Sequence, residues 1–198
     1  MRVLLAGEGA TELGSWDKEP AYRPRSGEAT EPGVLEALLR RVDSNTPFEI
    51  VDGFRWRSIP LYQAGEHRHA ETRRVLRLAQ RAEERGCVLV FTRDRDRDRQ
   101  REIDITAGVL EAQQKFSAAI VGGVAIEEIE SWILALLGET KTERLPDPKR
   151  RLQETHGIQG TREMVDIIAR ADLGRVPNDA SSLRAWLDAA TVVLVMTS

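Results

Sequence analysis

The residues most suited to chemistry are carboxylates placed directly behind apolar runs. Arg2 to Ala6 is a short β-prone run, and it leads into Gly7-Glu8-Gly9-Ala10-Thr11-Glu12. Flanking glycines let the chain turn at the strand end and leave Glu8 uncovered. If a helix starts near Thr11, Glu8 and Glu12 lie about one turn apart and can aim at one point. Cys87 to Thr92 is a second apolar run, followed by Arg93-Asp94-Arg95-Asp96-Arg97-Asp98. Asp94 and Asp96 project to the same side of an extended segment, as ligands of a hard divalent cation must. The competing reading is a solvated Arg/Asp loop whose charges neutralise each other, and Asp98 reads equally as the N-cap of a following helix. A third acidic site, Ile126-Glu127-Glu128-Ile129-Glu130-Ser131-Trp132, puts Glu130 beside an apolar helix face. A glutamate buried there needs a metal or a basic partner. Ordinary helix-start acids are the plainer reading of Glu12 and Glu130.

These acids need elements to carry them. Arg2–Ala6, Phe48–Val51, Cys87–Thr92 and Ser117–Val121 read as strands, with Trp56–Leu61 extending or pairing with the second. Helical spacing follows in Val34–Val42, capped by Thr30 or Glu31, in Glu66–Arg85 ended by Gly86, and in Ile103–Phe116. Residues 13–33 hold three glycines and three prolines without periodicity and read as a long loop. Alternation of strands and helices predicts a four-stranded parallel α/β sheet flanked by helices. The tail adds helices over 127–137, 149–156, 162–171 and 181–190. We therefore expect an α/β domain over 1–125 and a C-terminal helical segment over 126–198, packed on it and contributing Glu130. In such sheets the functional crevice lies outside the carboxyl ends of the strands, where Glu8 and Asp94 fall.

Composition bounds the partners. The chain has 198 residues, 41% hydrophobic and 31% charged, which excludes collagen, wholesale disorder and a membrane span. Its net charge of −3 hides an uneven distribution: residues 1–52 carry −4, residues 53–101 carry +6 and residues 102–198 carry −5. The basic middle supplies Arg55, Arg57, Arg68, Arg73 and Arg74 as candidate nucleic-acid contacts, with Arg77 and Arg81 behind them and Trp56 and Tyr62 to stack on bases. A solvated helix face is the plain alternative for these arginines. His67 and His69 read as surface or capping residues. One cysteine, Cys87, excludes a disulfide or cysteine zinc site within the chain, and the polar N-terminus does not read as a signal peptide, so the expected location is the cytoplasm.

The ordered trio of Glu8-Gly9-Ala10-Thr11-Glu12, Asp94-x-Asp96 and Glu130-Ser131-Trp132, with Asp147-Pro148-Lys149 later, resembles the TOPRIM domain of topoisomerases, bacterial primases, recombination proteins and overcoming-lysogenization-defect (OLD) nucleases. Its specific form resembles a family of small stand-alone bacterial TOPRIM-like proteins of unassigned function, related to the OLD nucleases, over roughly residues 1–150. The resemblance implies a Rossmann-like TOPRIM fold and a phosphodiester site using one or two Mg²⁺ or Mn²⁺ ions. Glu8 is then a metal ligand or general acid/base, Glu12 the second acid, Asp94 and Asp96 the metal pair, Glu130 a later ligand, and Lys149 the lysine that offsets charge in the transition state. Two ions about 3.5–4 Å apart activate water and stabilise a leaving oxygen.

The expected function is nicking or cutting of nucleic acid, DNA ahead of RNA, in defence against phage or mobile elements. A separate ATPase chain is expected as partner, since no Gly-x-x-x-x-Gly-Lys-Ser/Thr loop occurs here, and a homodimer is a further expectation. The alternative is a non-catalytic TOPRIM scaffold that binds a partner protein or nucleic acid. A strand-passing topoisomerase fits poorly with only Tyr22 and Tyr62 present. A dehalogenase-type phosphatase would need its Asp-x-Asp after the first strand, and an Asp-x-Asp glycosyltransferase shares that difficulty.

Overall fold

The computed structural model describes residues 1–15, 21–22, 31–63 and 69–197. Four strands are parallel: β1 (Arg2–Gly7), β3 (Glu49–Arg55), β4 (Val88–Asp94) and β5 (Ile120–Ala125), in the spatial order β3-β1-β4-β5. A two-residue strand, β2 (Ala21–Tyr22), adds an antiparallel edge on β3. That edge lies in the stretch read from sequence as loop, and two residues are too few to show a period-2 pattern. Among the described residues the sheet thus has five strands, four of them parallel. The chain passes from β1 to β3 on one side and then returns to β4 on the other. This reversal makes the carboxyl ends of β1 and β4 the topological switch point.

Two helical layers cover the sheet. Alternate side chains of the strands face opposite ways, so Val3, Leu5, Val88 and Val90 enter one core while Leu4, Ala6, Leu89 and Phe91 enter the other. The first core packs under α1 (Ala10–Leu13), α2 (Val34–Val42), α5 (Ile129–Leu136), α6 (Pro148–His156), α7 (Thr161–Arg170) and α8 (Ser181–Thr197). The second packs under α3 (Ala70–Glu84) and α4 (Arg99–Lys115). The helices after residue 125 therefore share a core with β1 and α2.

Several local expectations change. Asp98 caps α4, its carboxylate accepting from the Gln100 and Arg101 amides, so that helix starts four residues before Ile103. Gly33, with no side-chain cap, precedes α2 in place of the expected Thr30 or Glu31; Thr30 lies outside the described residues. Trp56–Ser58 forms a 3₁₀ turn and not a strand. Cys87 is free and buried, and burial pushes its thiol pKa up. Among the described residues no helix is long and apolar enough to cross a membrane.

Candidate functional site

Strand alternation divides the acids at the switch point between the two faces. Phe91 and Arg93 lie on the α3/α4 side of β4, whereas Val90, Thr92 and Asp94 lie on the side of α1 and α5. Glu8, following Leu4 and Ala6 in parity, meets Arg93: the two form an ion pair, and Glu8 Oε1 also accepts the Asp94 amide at 3.2 Å. Glu12 goes the other way. It is 4% exposed and folds back so that Oε2 accepts the Gly9 amide at 2.8 Å. Gly7 makes room for it, since a Cβ on Gly7 would stand 2.6 Å from Glu12 Cβ. The structure therefore does not aim Glu8 and Glu12 at a common point. The turn after β1 separates them.

Asp94 is the centre of the acid side. Among the described residues its Oδ1 is buried with no hydrogen-bond partner, and the Thr92 hydroxyl two residues earlier on the same face has none either. Burial first, then the charges of Glu12, Glu130, Asp96 and Glu128, push the Asp94 carboxyl up to about 8. Glu130, in the first turn of α5, is 8% exposed. Burial raises its pKa foremost; Glu128 and Glu12 add to this, and Lys149 opposes it. The α5 helix is held in place by Trp132, whose indole N–H donates to Ser182 Oγ at 2.7 Å, while Trp186 ties α8 to the Phe91 carbonyl at 3.1 Å. Burial likewise raises Glu12. Among the described residues, however, no three His, Cys, Asp or Glu side chains stand together as a group that could hold a metal ion.

Asp96 departs from its expected place. The strand ends at Asp94, and Asp96 and Arg97 adopt positive φ of 50° and 63°. The turn is fixed by Arg95 N–H donating to Ala125 O and Asp96 N–H to Glu127 O. Asp96 is 48% exposed at its side chain and pairs with Arg101 at 2.6 Å and Arg93 at 3.7 Å. The extended geometry on which a joint Asp94–Asp96 projection depended is therefore replaced by a turn.

Lys149 follows Pro148 at the start of α6, where Asp147 is the N-cap, and is exposed. Its amide donates to the Glu128 carboxylate, and its charge acts on Glu128 and Glu130. Glu128 belongs to the third acidic stretch read from the sequence, which gave it no role. It stands before the first turn of α5 in extended backbone, and its Oε2 is buried without a partner. Its neighbour Glu127, at φ 66°, pairs with Arg95 and accepts the Arg97 amide.

The basic middle is largely occupied in structure. Arg73 Nε donates to Tyr62 O at 2.7 Å, Arg74 pairs with Glu71 at 3.4 Å, Arg77 bonds Gln80, and Arg81 covers the Phe54 ring. Arg55 closes β3 opposite Gly7, Arg57 is exposed, and Arg68, His67, Arg23 and Arg25 lie outside the described residues. Trp56 is not available to stack on a base: it is 1% exposed, packs on Phe91 and donates to Glu71. Tyr62 meets Phe116 edge-on. His69 precedes α3 without a side-chain cap and lies 3.4 Å from Asp104. Comparison with family models, curated proteins and solved structures finds no match for this chain.

Proposed function

We propose that the protein is a TOPRIM-type, divalent-cation-dependent phosphodiesterase that nicks or cuts nucleic acid. The observation that carries this reading is Asp94: a buried carboxylate with a bare oxygen, surrounded by like charge, at the switch point of a parallel sheet. Such an arrangement is costly for folding alone and characteristic of functional sites. The donor chemistry fits Mg²⁺ or Mn²⁺, since the unpartnered Asp94 Oδ1 and Glu128 Oε2 are hard oxygen ligands. Asp94 would hold the ion with Glu128 beside it. Glu12 and Glu130 would have to draw in to add to the ligand set, since no three of these acids stand together as a ligand group among the described residues. When bound, the ion supplies charge stabilisation to a phosphoryl oxygen and acidifies water.

The chain's own residues have separable tasks. Asp94 must shed its proton to serve as a ligand, which becomes easier as pH approaches about 8. Glu12 and Glu130, both raised by burial, hold protons more readily than ordinary carboxylates and are the groups suited to proton transfer. Lys149 supplies positive charge on the Glu130 side of the site. Glu8 orients the end of β4 through the Asp94 amide. On this reading it is a positioning residue before it is a ligand.

Incubation with supercoiled plasmid and Mg²⁺ or Mn²⁺ tests the reading. The wild type should convert plasmid to the open-circular form, EDTA should stop it, and Asp94→Asn should abolish it. Equal nicking by wild type and Asp94→Asn would sink the proposal.

A further inference from the structure

On the face opposite the acids, the geometry points to an oxyanion site: Arg93 and Arg101 together take a phosphate group beside the carboxyl end of β4. Arg93 is the next-to-last residue of β4, just before Asp94, and Arg101 comes from the first turn of α4. Their side chains are 11% and 15% exposed. The two guanidinium groups stand side by side, since both come within 4 Å of the same Asp96 and Glu71 oxygens. Each is a rigid fork suited to bidentate contact with an oxyanion.

Their donor capacity is not used up. The Nε atoms of Arg93, Arg101 and Arg74 are buried and make no hydrogen bond among the described residues. Three carboxylates face them. Glu8 pairs with Arg93, and Asp96 pairs with Arg101. The third, Glu71, lies between the two: its Oε1 is 3.7 Å from Arg93 Nε and 3.8 Å from Arg101 Nε. Those distances are attractive but exceed hydrogen-bond length. A carboxylate centred between two forks and bonded to neither occupies the place of a larger, tetrahedral anion with more acceptor oxygens. Glu71 is held there by the Trp56 indole and by Arg74, not by the pair it faces.

The location sets the ligand class. Arg101 also donates to the carbonyls of Asp94 at 2.8 Å and Arg95 at 3.0 Å, so this site adjoins the strand end that carries the acid cluster. A phosphate crossing the end of β4 meets arginines on one side and Asp94 on the other. The inference deepens the phosphodiesterase reading by giving its phosphate a place, but its binding test requires no cation and no turnover.

Binding is measured in EDTA by calorimetry with inorganic phosphate, and by fluorescence anisotropy with a labelled single-stranded oligonucleotide. Phosphate should bind the wild type and compete with the oligonucleotide. Arg93→Lys and Arg101→Lys should each weaken phosphate binding about tenfold, the scale of one charge-assisted hydrogen bond. Glu71→Gln keeps an acceptor for Trp56 and removes the competing charge, so it should tighten binding by a similar factor. A gain of affinity cannot come from a misfolded variant. Failure of phosphate to bind, or equal affinity in wild type, both lysine variants and Glu71→Gln, overturns the site. Binding without plasmid nicking would uphold the site and sink the nuclease reading; nicking without cation-free phosphate binding would do the reverse.

Discussion

The two faces of the sheet at the end of β4 receive the same raw material and treat it oppositely. On the α3/α4 face, Glu8, Glu71 and Asp96 meet Arg93, Arg74 and Arg101 in ion pairs. On the other, Asp94, Glu12, Glu130 and Glu128 crowd together with one exposed lysine nearby, and all four are raised in pKa with burial as the leading cause. A one-residue step along the strand, from Arg93 to Asp94, separates these outcomes. Paired charges on the first face contribute to holding the strand end. Crowded acids on the second detract from folding and are explained best by a ligand.

The largest effect should come from removing that crowding. The folded-state pKa of Asp94, about 8, lies above the ordinary 3.8, so between these values the folded protein binds more protons than the unfolded chain. Stability of the cation-free protein should therefore fall as pH rises from about 4 to about 8 and then level. Asp94→Asn cannot ionise. It should be the more stable protein at pH 9 by a few kcal/mol, with the advantage gone near pH 4. Urea unfolding at both pH values measures this, and identical pH slopes for the two proteins would refute the buried-acid reading. Millimolar Mg²⁺ or Mn²⁺ should raise the wild-type midpoint at pH 8 and leave Asp94→Asn nearly unmoved.

A smaller effect separates the two glycines beside Glu8. A Cβ at Gly7 collides with Glu12, whereas one at Gly9 meets nothing within 4 Å. Gly7→Ala should cost about 1–3 kcal/mol by overpacking, and Gly9→Ala should be close to neutral. Thermal unfolding of both variants checks it. Equal losses would mean that the turn itself, and not the packing of Glu12 over Gly7, sets the requirement.

That contrast also explains what was legible in the sequence. Apolar runs marked β1 and β4 because both are buried on both faces, whereas Phe48–Val51 and Ser117–Val121 overlap only the starts of β3 and β5, which run on to Arg55 and Ala125 with less apolar residues. Glu12, Asp94 and Glu130 were visible as acids at element ends. Which face each would take was not, because it depends on the parity of Leu4, Ala6 and Glu8 and on where β4 stops. The positive φ of Asp96 has no signature in an Arg/Asp repeat. Glu128 fell inside the helix expected over 127–137, but it stands just before α5 in extended backbone. Trp56 read as a stacking platform, but its ring fills the core against Phe91.

The smallest expected change in stability is at Lys149, and there the comparison becomes sharpest. Its side chain is exposed, and the bond it makes to Glu128 comes from its backbone amide, which any residue but proline supplies. Lys149→Met should therefore move the unfolding midpoint by no more than about 0.5 kcal/mol equivalent, as for other exposed charges. Its ammonium is nonetheless the charge that opposes the upward shift of Glu130. If the crowded acids form a working site, plasmid nicking by Lys149→Met should fall about tenfold or more, and Lys149→Arg should recover part of it. Unchanged nicking at unchanged stability would remove Lys149 from the chemistry and leave the acid face without a basic partner of its own, so that any positive charge offered to the phosphate would have to reach across β4 from Arg93 and Arg101.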